Sequence, residues 1–182
     1  YSFYPGKNLG CYGDGGIVTT NKKKYYKKLI KLRNLGQKRK NVHDEIGVNS
    51  RLDSIQASLL NLKLKSLKKF NLKRKKIAGF YKKNIKNKKI DTIEYSTNAV
   101  YHQYVILVKN RNKLMKHLEN NFIQYGIHYP NPINKLKCFS KLFKNKKFTN
   151  SEYISSRCLS IPIDPILKKS EINKITKVLN SF

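Results

Sequence analysis

Aromatic and glycine positions dominate the first twenty residues: Tyr1-Ser2-Phe3-Tyr4-Pro5-Gly6-Lys7, then Gly13-Asp14-Gly15-Gly16, then the apolar run Ile17-Val18-Thr19-Thr20. This pattern predicts short β-like pieces separated by glycine turns. Asn21 is placed to N-cap a lysine-rich helix running to about Asn34, with Gly36 as its stop. Residues 36–50 are polar and read as loop. From Asp53 the period changes to that of a helix. Leu52, Ile55, Leu59 and Leu62 step by three, four and three, and Leu60, Leu64, Leu67 and Phe70 widen the apolar face. A helix from Asp53 to about Phe80 would span roughly 40 Å, enough to link two lobes. Asn84–Lys89 is a polar, basic connection. Beyond it the pattern predicts a strand over Tyr101–Val108, a helix over Arg111–Asn121, a short strand at Leu159-Ser160-Ile161-Pro162, and a last helix capped by Ser170 and running through Leu179. Tyr129-Pro130-Asn131-Pro132 must be extended, because each proline disfavours helix at the residue before it. The tail from about residue 85 is therefore a small α/β unit.

At 182 residues the chain holds one domain and part of another, and it is long enough to fold without disulfide staples. It starts at Tyr1 rather than Met, directly in a structured segment, so a fragment lacking an amino-terminal portion is expected. Cys11, Cys138 and Cys158 are odd in number and widely spaced; they support neither a disulfide framework nor a zinc site, and no metal is expected. A reduced, cytoplasmic setting fits them. No apolar run reaches membrane-spanning length and no signal peptide precedes the first strand, so no membrane partner is expected.

The formal net charge is +30, from forty basic and ten acidic residues. That sum raises a nucleic-acid-binding module as one reading. Only six of the forty are Arg, however, and Asn (20) and Ile (18) are heavily used as well. Lys, Asn and Ile share AT-rich codons, and Arg, which reads bases and phosphates bidentately, is not enriched. Base composition explains the excess better than a nucleic-acid partner does. The surface would still attract an anionic, phosphate-bearing substrate.

Lys7 stands out by its setting. Ser2 lies five residues before it, Pro5-Gly6 bends the chain into it, and Gly10, Gly13, Gly15 and Gly16 follow. Glycines allow a ligand close to the backbone, and a nearby hydroxyl can donate to a phosphate. A lysine on such a turn, once desolvated, has a lowered amine pKa and can form a Schiff base. A basic residue on a glycine-rich hairpin fits the same residues equally well.

The blocks taken together carry a resemblance. Ser2–Gly10 followed by Tyr12–Gly16, then Leu35–Lys38 with Gly47–Ala57, then Tyr101–Val105 with Gly126–Pro130, and finally Leu159–Pro162 with Glu171-Ile172, resemble in order and spacing the DegT/StrS nucleotide-sugar aminotransferases. Those are pyridoxal 5'-phosphate (PLP) enzymes of the aspartate aminotransferase fold, fold type I. The resemblance implies the carboxy-terminal part of such an α/β enzyme: residues 1–52 as the end of the large PLP-binding domain, 53–84 as a long linking helix, and 85–182 as the small α/β domain.

It also implies roles. Lys7 would hold PLP and shuttle the proton; Ser2 would bond its phosphate; Asn49 would reach the phosphate in the neighbouring subunit, making a homodimer part of the mechanism. Arg51 would meet a substrate carboxylate or phosphate, or else merely begin the helix as an exposed arginine. His128 and Tyr129 would face the substrate, with a structural tyrosine between prolines as the alternative. His102 reads as a core histidine, His43 and His117 need no special role, and Asp14 reads as a turn residue. Where the family often has a histidine, Asn134 stands. The implied reaction moves an amino group from glutamate to a keto group of a nucleotide-linked sugar, for polysaccharide biosynthesis. A PLP-dependent sugar dehydratase of the same family is the runner-up, and Lys7 argues against its best-known branch. The residues that would stack on the cofactor and pair with its ring nitrogen lie upstream in the family, so the polypeptide alone is expected to be inactive.

Overall fold

Glycine turns and lysine-rich polar runs leave the amino-terminal third little to bury, whereas the β-branched and leucine-rich tail can close a core. The computed structural model describes residues 1–182 and divides accordingly into Tyr1–Lys68 and Lys69–Phe182.

In the first unit, Tyr1–Phe3 runs antiparallel to Gly15–Ile17, with the Phe3 N–H on the Gly15 carbonyl at 2.7 Å and the Ile17 N–H on the Tyr1 carbonyl at 2.9 Å. Helix α1 (Lys23–Leu32) buries none of its residues. Its N-cap is Lys22, not the expected Asn21, and the Lys22 N–H is taken by the Thr20 hydroxyl at 3.1 Å. Residues 36–50 are not all loop: β1 (Gln37–Arg39) and β2 (Val42–His43) pair antiparallel around Asn41, whose φ of 62° makes the turn. The long helix α2 (Ser54–Asn84) begins in this unit. Along Ser54–Lys68 only Leu60 is fully buried; Ile55 is 74% and Leu62 65% exposed. The expected apolar face of that half forms but is left uncovered, because the glycine loop and hairpin supply no opposing apolar layer.

The second unit holds the core. Its elements are the remainder of α2, then β3 (Ile90–Thr92), β4 (Tyr104–Val108), α3 (Arg111–Asn120), α4 (Thr149–Arg157), β5 (Cys158–Ile161) and α5 (Lys169–Ser181). The sheet is antiparallel in the order β3-β4-β5, with Thr92 opposite Ile106 and Ile106 opposite Leu159. Alternation along β4 buries Tyr104, Ile106 and Val108. The strand starts at Tyr104 rather than Tyr101, whose φ of 46° is incompatible with extended backbone. All four β5 residues are buried, so both its faces are covered, and its free edge is capped by a two-bond bridge between Ser160 and Gly126. Helices contribute Ile77 and Tyr81 from α2, Leu114 and Leu118 from α3, and Ile175, Val178 and Leu179 from α5 to one cluster. Helix α5 starts after Lys168, whose N–H is accepted by the Glu171 carboxylate at 2.6 Å; the carboxylate, not Ser170, does the capping.

Tyr81 is a polar group in this core. Its ring is fully buried and meets Tyr104 edge-on at 5.3 Å, and its hydroxyl donates to the Pro162 carbonyl at 2.9 Å. Burial pushes that hydroxyl far above the ordinary phenol range, so it stays a donor. Tyr81→Phe strands the Pro162 carbonyl and is expected to cost about 1–2 kcal/mol. A urea titration would register this as a lower midpoint at unchanged slope; an unchanged midpoint would mean the bond is solvent-compensated.

Candidate functional site

The site is built on the loop after Phe3. Tyr4-Pro5-Gly6-Lys7 closes a β-turn with the Lys7 N–H on the Tyr4 carbonyl at 2.8 Å. The chain then doubles back so tightly that a Cβ on Gly10 would lie 2.4 Å from the Pro5 carbonyl oxygen, so only glycine fits there. Cys11 is the post around which the loop wraps: it is fully buried, its N–H donates to Phe3 O at 2.8 Å, and its Sγ lies 3.0 Å from the carbonyl oxygens of both Phe3 and Gly13. Helix α2 anchors the loop from the side. The Gln56 carboxamide accepts from the Tyr12 N–H at 2.7 Å and donates to the Tyr12 carbonyl at 3.0 Å. Lys63 donates to Gly10 O at 2.6 Å and sits 4.4 Å from the centre of the Tyr12 ring.

Lys7 lies on this loop, and Ser2 on the strand that leads into it. The Ser2 hydroxyl accepts from the Tyr4 N–H at 3.2 Å, which leaves its own hydrogen to donate. The Lys7 amine makes no hydrogen bond or ion pair within the chain and is exposed. The desolvation expected for it is not supplied by residues of this chain. An exposed amine on the turn and a hydroxyl with an uncommitted hydrogen on the strand before it nevertheless suit a phosphate-bearing aldehyde: the amine can condense and the hydroxyl can bind phosphate.

Asn49 and Arg51 line a polar cleft of about 510 Å³ in the same unit, together with Asp14, Gly15, Gly16, Ser50, Leu52 and Asp53. Gly16 is the bridge partner of Ser2, so the cleft borders the Ser2 strand. Lys7 and Ser2 themselves do not line it. The 48–50 segment is sewn to the end of α1: the Val48 N–H bonds Leu32 O and the Ser50 N–H bonds Arg33 O, both at 2.8 Å. The hairpin between them is tied back by Asp44, which accepts from Lys31 at 2.9 Å; that hydrogen bond holds the Asp44 carboxyl below its ordinary range.

His128 and Tyr129 are brought together in the second unit. They line a cleft of about 420 Å³ with Asn131, Pro132, Asn134, Phe143 and Phe148 among its other walls. His128 Nδ1 shares a hydrogen bond with the Ser160 hydroxyl at 2.9 Å, which leaves Nε2 for a ligand. Tyr129 is 72% exposed and does not pack as a structural tyrosine between its prolines would. Asn134 donates to Glu152 at 3.2 Å. His102 is half-buried and lines neither cleft. Sequence reasoning assigned no role to Cys11, Asn34, Gln56 or Lys63. Gln56 stood inside a quoted motif block, but its partner is 44 residues away and no spacing reveals it.

No helix is long and apolar enough to cross a membrane. The family model described as the DegT/DnrJ/EryC1/StrS aminotransferase family matches residues 1–180. A dTDP-3-amino-3,6-dideoxy-alpha-D-galactopyranose transaminase of Aneurinibacillus thermoaerophilus is 40% identical over the whole chain, which covers 55% of that protein. Among solved structures, DesV of S. venezuelae matches with a TM-score of 0.92 at 30% identity, over 99% of this chain and 50% of that one. NtdA of Bacillus subtilis, with bound cofactor PMP, matches with a TM-score of 0.88 at 26% identity, over 98% of this chain and 44% of that one. The chain thus spans about half the length of the proteins it matches. A family match over residues 1–180 of 182 means that the chain belongs to the DegT/DnrJ/EryC1/StrS aminotransferase family.

Proposed function

We propose that this chain is the lysine-bearing part of a PLP-dependent aminotransferase that moves an amino group from glutamate to a keto carbon of a nucleotide-linked sugar, in the cytoplasm, for surface polysaccharide biosynthesis. The observation that carries the reading is the exposed Lys7 side chain at the end of a tight turn whose first residue, Tyr4, donates its N–H to the Ser2 hydroxyl. Bound PLP supplies an electron sink that lets a proton leave the carbon bearing the amino group. Lys7 would hold the cofactor, and its Nζ, when free, would move the proton at the substrate carbon. Ser2 donates to the phosphate. His128 Nε2 and Tyr129 bind the sugar. In this reading residues 1–52 end the large domain, 53–84 link, and 85–182 form the small domain.

A homodimer with shared active sites fits the surface of the first unit. Ile46 is 98% and Val48 62% exposed, just ahead of Asn49. A partner subunit covering these two side chains would remove apolar surface from water. A partner subunit seated there would receive Asn49 at its phosphate and would help remove water from Lys7. The active species is the full-length polypeptide, and the segment described here is inactive by itself.

The test is a panel of keto-sugar nucleotides offered to the full-length enzyme with PLP and glutamate. At least one member should yield 2-oxoglutarate and an amino sugar in equal amounts. Absence of 2-oxoglutarate across the panel would remove the aminotransferase assignment.

A further inference from the structure

Arg51 was expected to meet substrate, but two of its donors are committed within its own chain. Its Nε–H donates to Asn49 Oδ1 at 3.0 Å and its Nη1 to Asn34 Oδ1 at 3.2 Å. Asn34 is in turn held by its own Nδ2 on Gln37 Oε1 at 2.9 Å, and the backbones of Asn34 and Asn49 form an antiparallel bridge. A guanidinium only donates, so the Asn49 atom facing it must be the oxygen. The Asn49 amide is therefore locked in one of its two flip states, with its NH₂ group uncommitted beside the polar cleft. Main-chain bonds on both sides of Asn49 fix the rest.

We infer that Arg51 and Asn34 are positioning residues that present the Asn49 NH₂ as a preorganised anion donor. Two of the five guanidinium donors of Arg51 are thereby committed to the two carboxamides. Without the clamp the carboxamide can turn its oxygen toward the phosphate, which repels, and each binding event must also order a free side chain. This inference rests on the proposed role of Asn49 at the PLP phosphate.

The experiment uses full-length apo-protein titrated with PLP and, separately, with pyridoxal, which lacks the phosphate; both are followed by absorbance. Asn49→Ala should weaken PLP about tenfold or more, the loss expected for one hydrogen bond to a charged group, and leave pyridoxal unchanged. Arg51→Lys keeps the charge but cannot span both carboxamides. It should reproduce the Asn49→Ala loss, and the double variant should be no weaker than Asn49→Ala alone. Asn34→Ala should fall in the same direction and serves as the second variant if Arg51→Lys does not fold. Wild-type PLP affinity in Arg51→Lys, a further loss when it is added to Asn49→Ala, an equal loss for pyridoxal, or a raised KM for the sugar nucleotide with unchanged PLP affinity would each overturn the clamp. Should Asn49→Ala itself bind PLP normally, the role of Asn49 at the phosphate fails first and the inference falls with it.

Discussion

Lys7→Ala in the full-length enzyme should lower turnover by roughly 10⁴-fold or more while leaving the thermal stability of the cofactor-free protein unchanged. The first half follows from chemistry. An amine that both holds the cofactor and carries the proton is used in every step, and removal of such a group typically costs several powers of ten. The second half follows from structure. The Lys7 side chain is exposed and makes no hydrogen bond or ion pair, so its loss breaks nothing in this chain, and surface substitutions of that kind stay within about 0.5 kcal/mol. Lys7→Arg separates charge from chemistry. Guanidinium keeps the positive charge but remains protonated and cannot condense with an aldehyde, so this variant should be as inactive as alanine. Rapid-quench and steady-state rates with matched unfolding curves provide the check. Substantial activity in Lys7→Arg would mean that only a cation is needed at this place.

Gly36→Val should cost about 2–5 kcal/mol and lower PLP affinity with it. Gly36 has a φ of 69°, a left-handed conformation that costs a side-chain-bearing residue about 1–2 kcal/mol. Space is the larger problem. A Cβ there would fall 1.6 Å from the Glu45 carbonyl oxygen, so the hairpin return must move, and overpacking of this kind adds about 1–3 kcal/mol. The displaced segment leads directly into Val48, Asn49 and Arg51, so stability and phosphate binding should fall together. Gly79 is the control. It lies exposed inside α2 with nothing within 4 Å of its built Cβ, so Gly79→Ala should stabilise by about 0.5–1 kcal/mol through helix propensity alone. Urea midpoints for the two variants should therefore shift in opposite directions, and an unchanged or raised midpoint in Gly36→Val would contradict the packing described there.

The elements that were legible in the sequence are those whose pattern is also their packing. The alternation of Tyr104–Val108 is the burial of β4, and Leu114 and Leu118, spaced by four, face the core from α3. The elements that were not legible have little pattern to read. Helix α4 buries none of its residues, and the β1–β2 hairpin is made from Gln37-Lys38-Arg39 and Val42-His43, which no apolar alternation marks. Strand β3 is three residues long. Helix starts were misplaced for a different reason: at Lys22 and Lys168 a neighbouring Thr20 hydroxyl and Glu171 carboxylate satisfy the first N–H, so the cap residue itself needs no polar oxygen. At the site, the Pro5-Gly6 turn announced Lys7 locally. The partners of Asn49 and Tyr12 come from Asn34, Arg51 and Gln56, and pairings such as that of Tyr12 with Gln56 exist only once the chain has folded.

The most direct test of the account is to reduce the PLP-loaded full-length protein with borohydride, digest it and map the fixed cofactor by mass spectrometry. The account predicts one phosphopyridoxyl group, on the peptide carrying Tyr4-Pro5-Gly6-Lys7, and its loss in Lys7→Ala. A fixed group on any other lysine, or one that survives in Lys7→Ala, would contradict it.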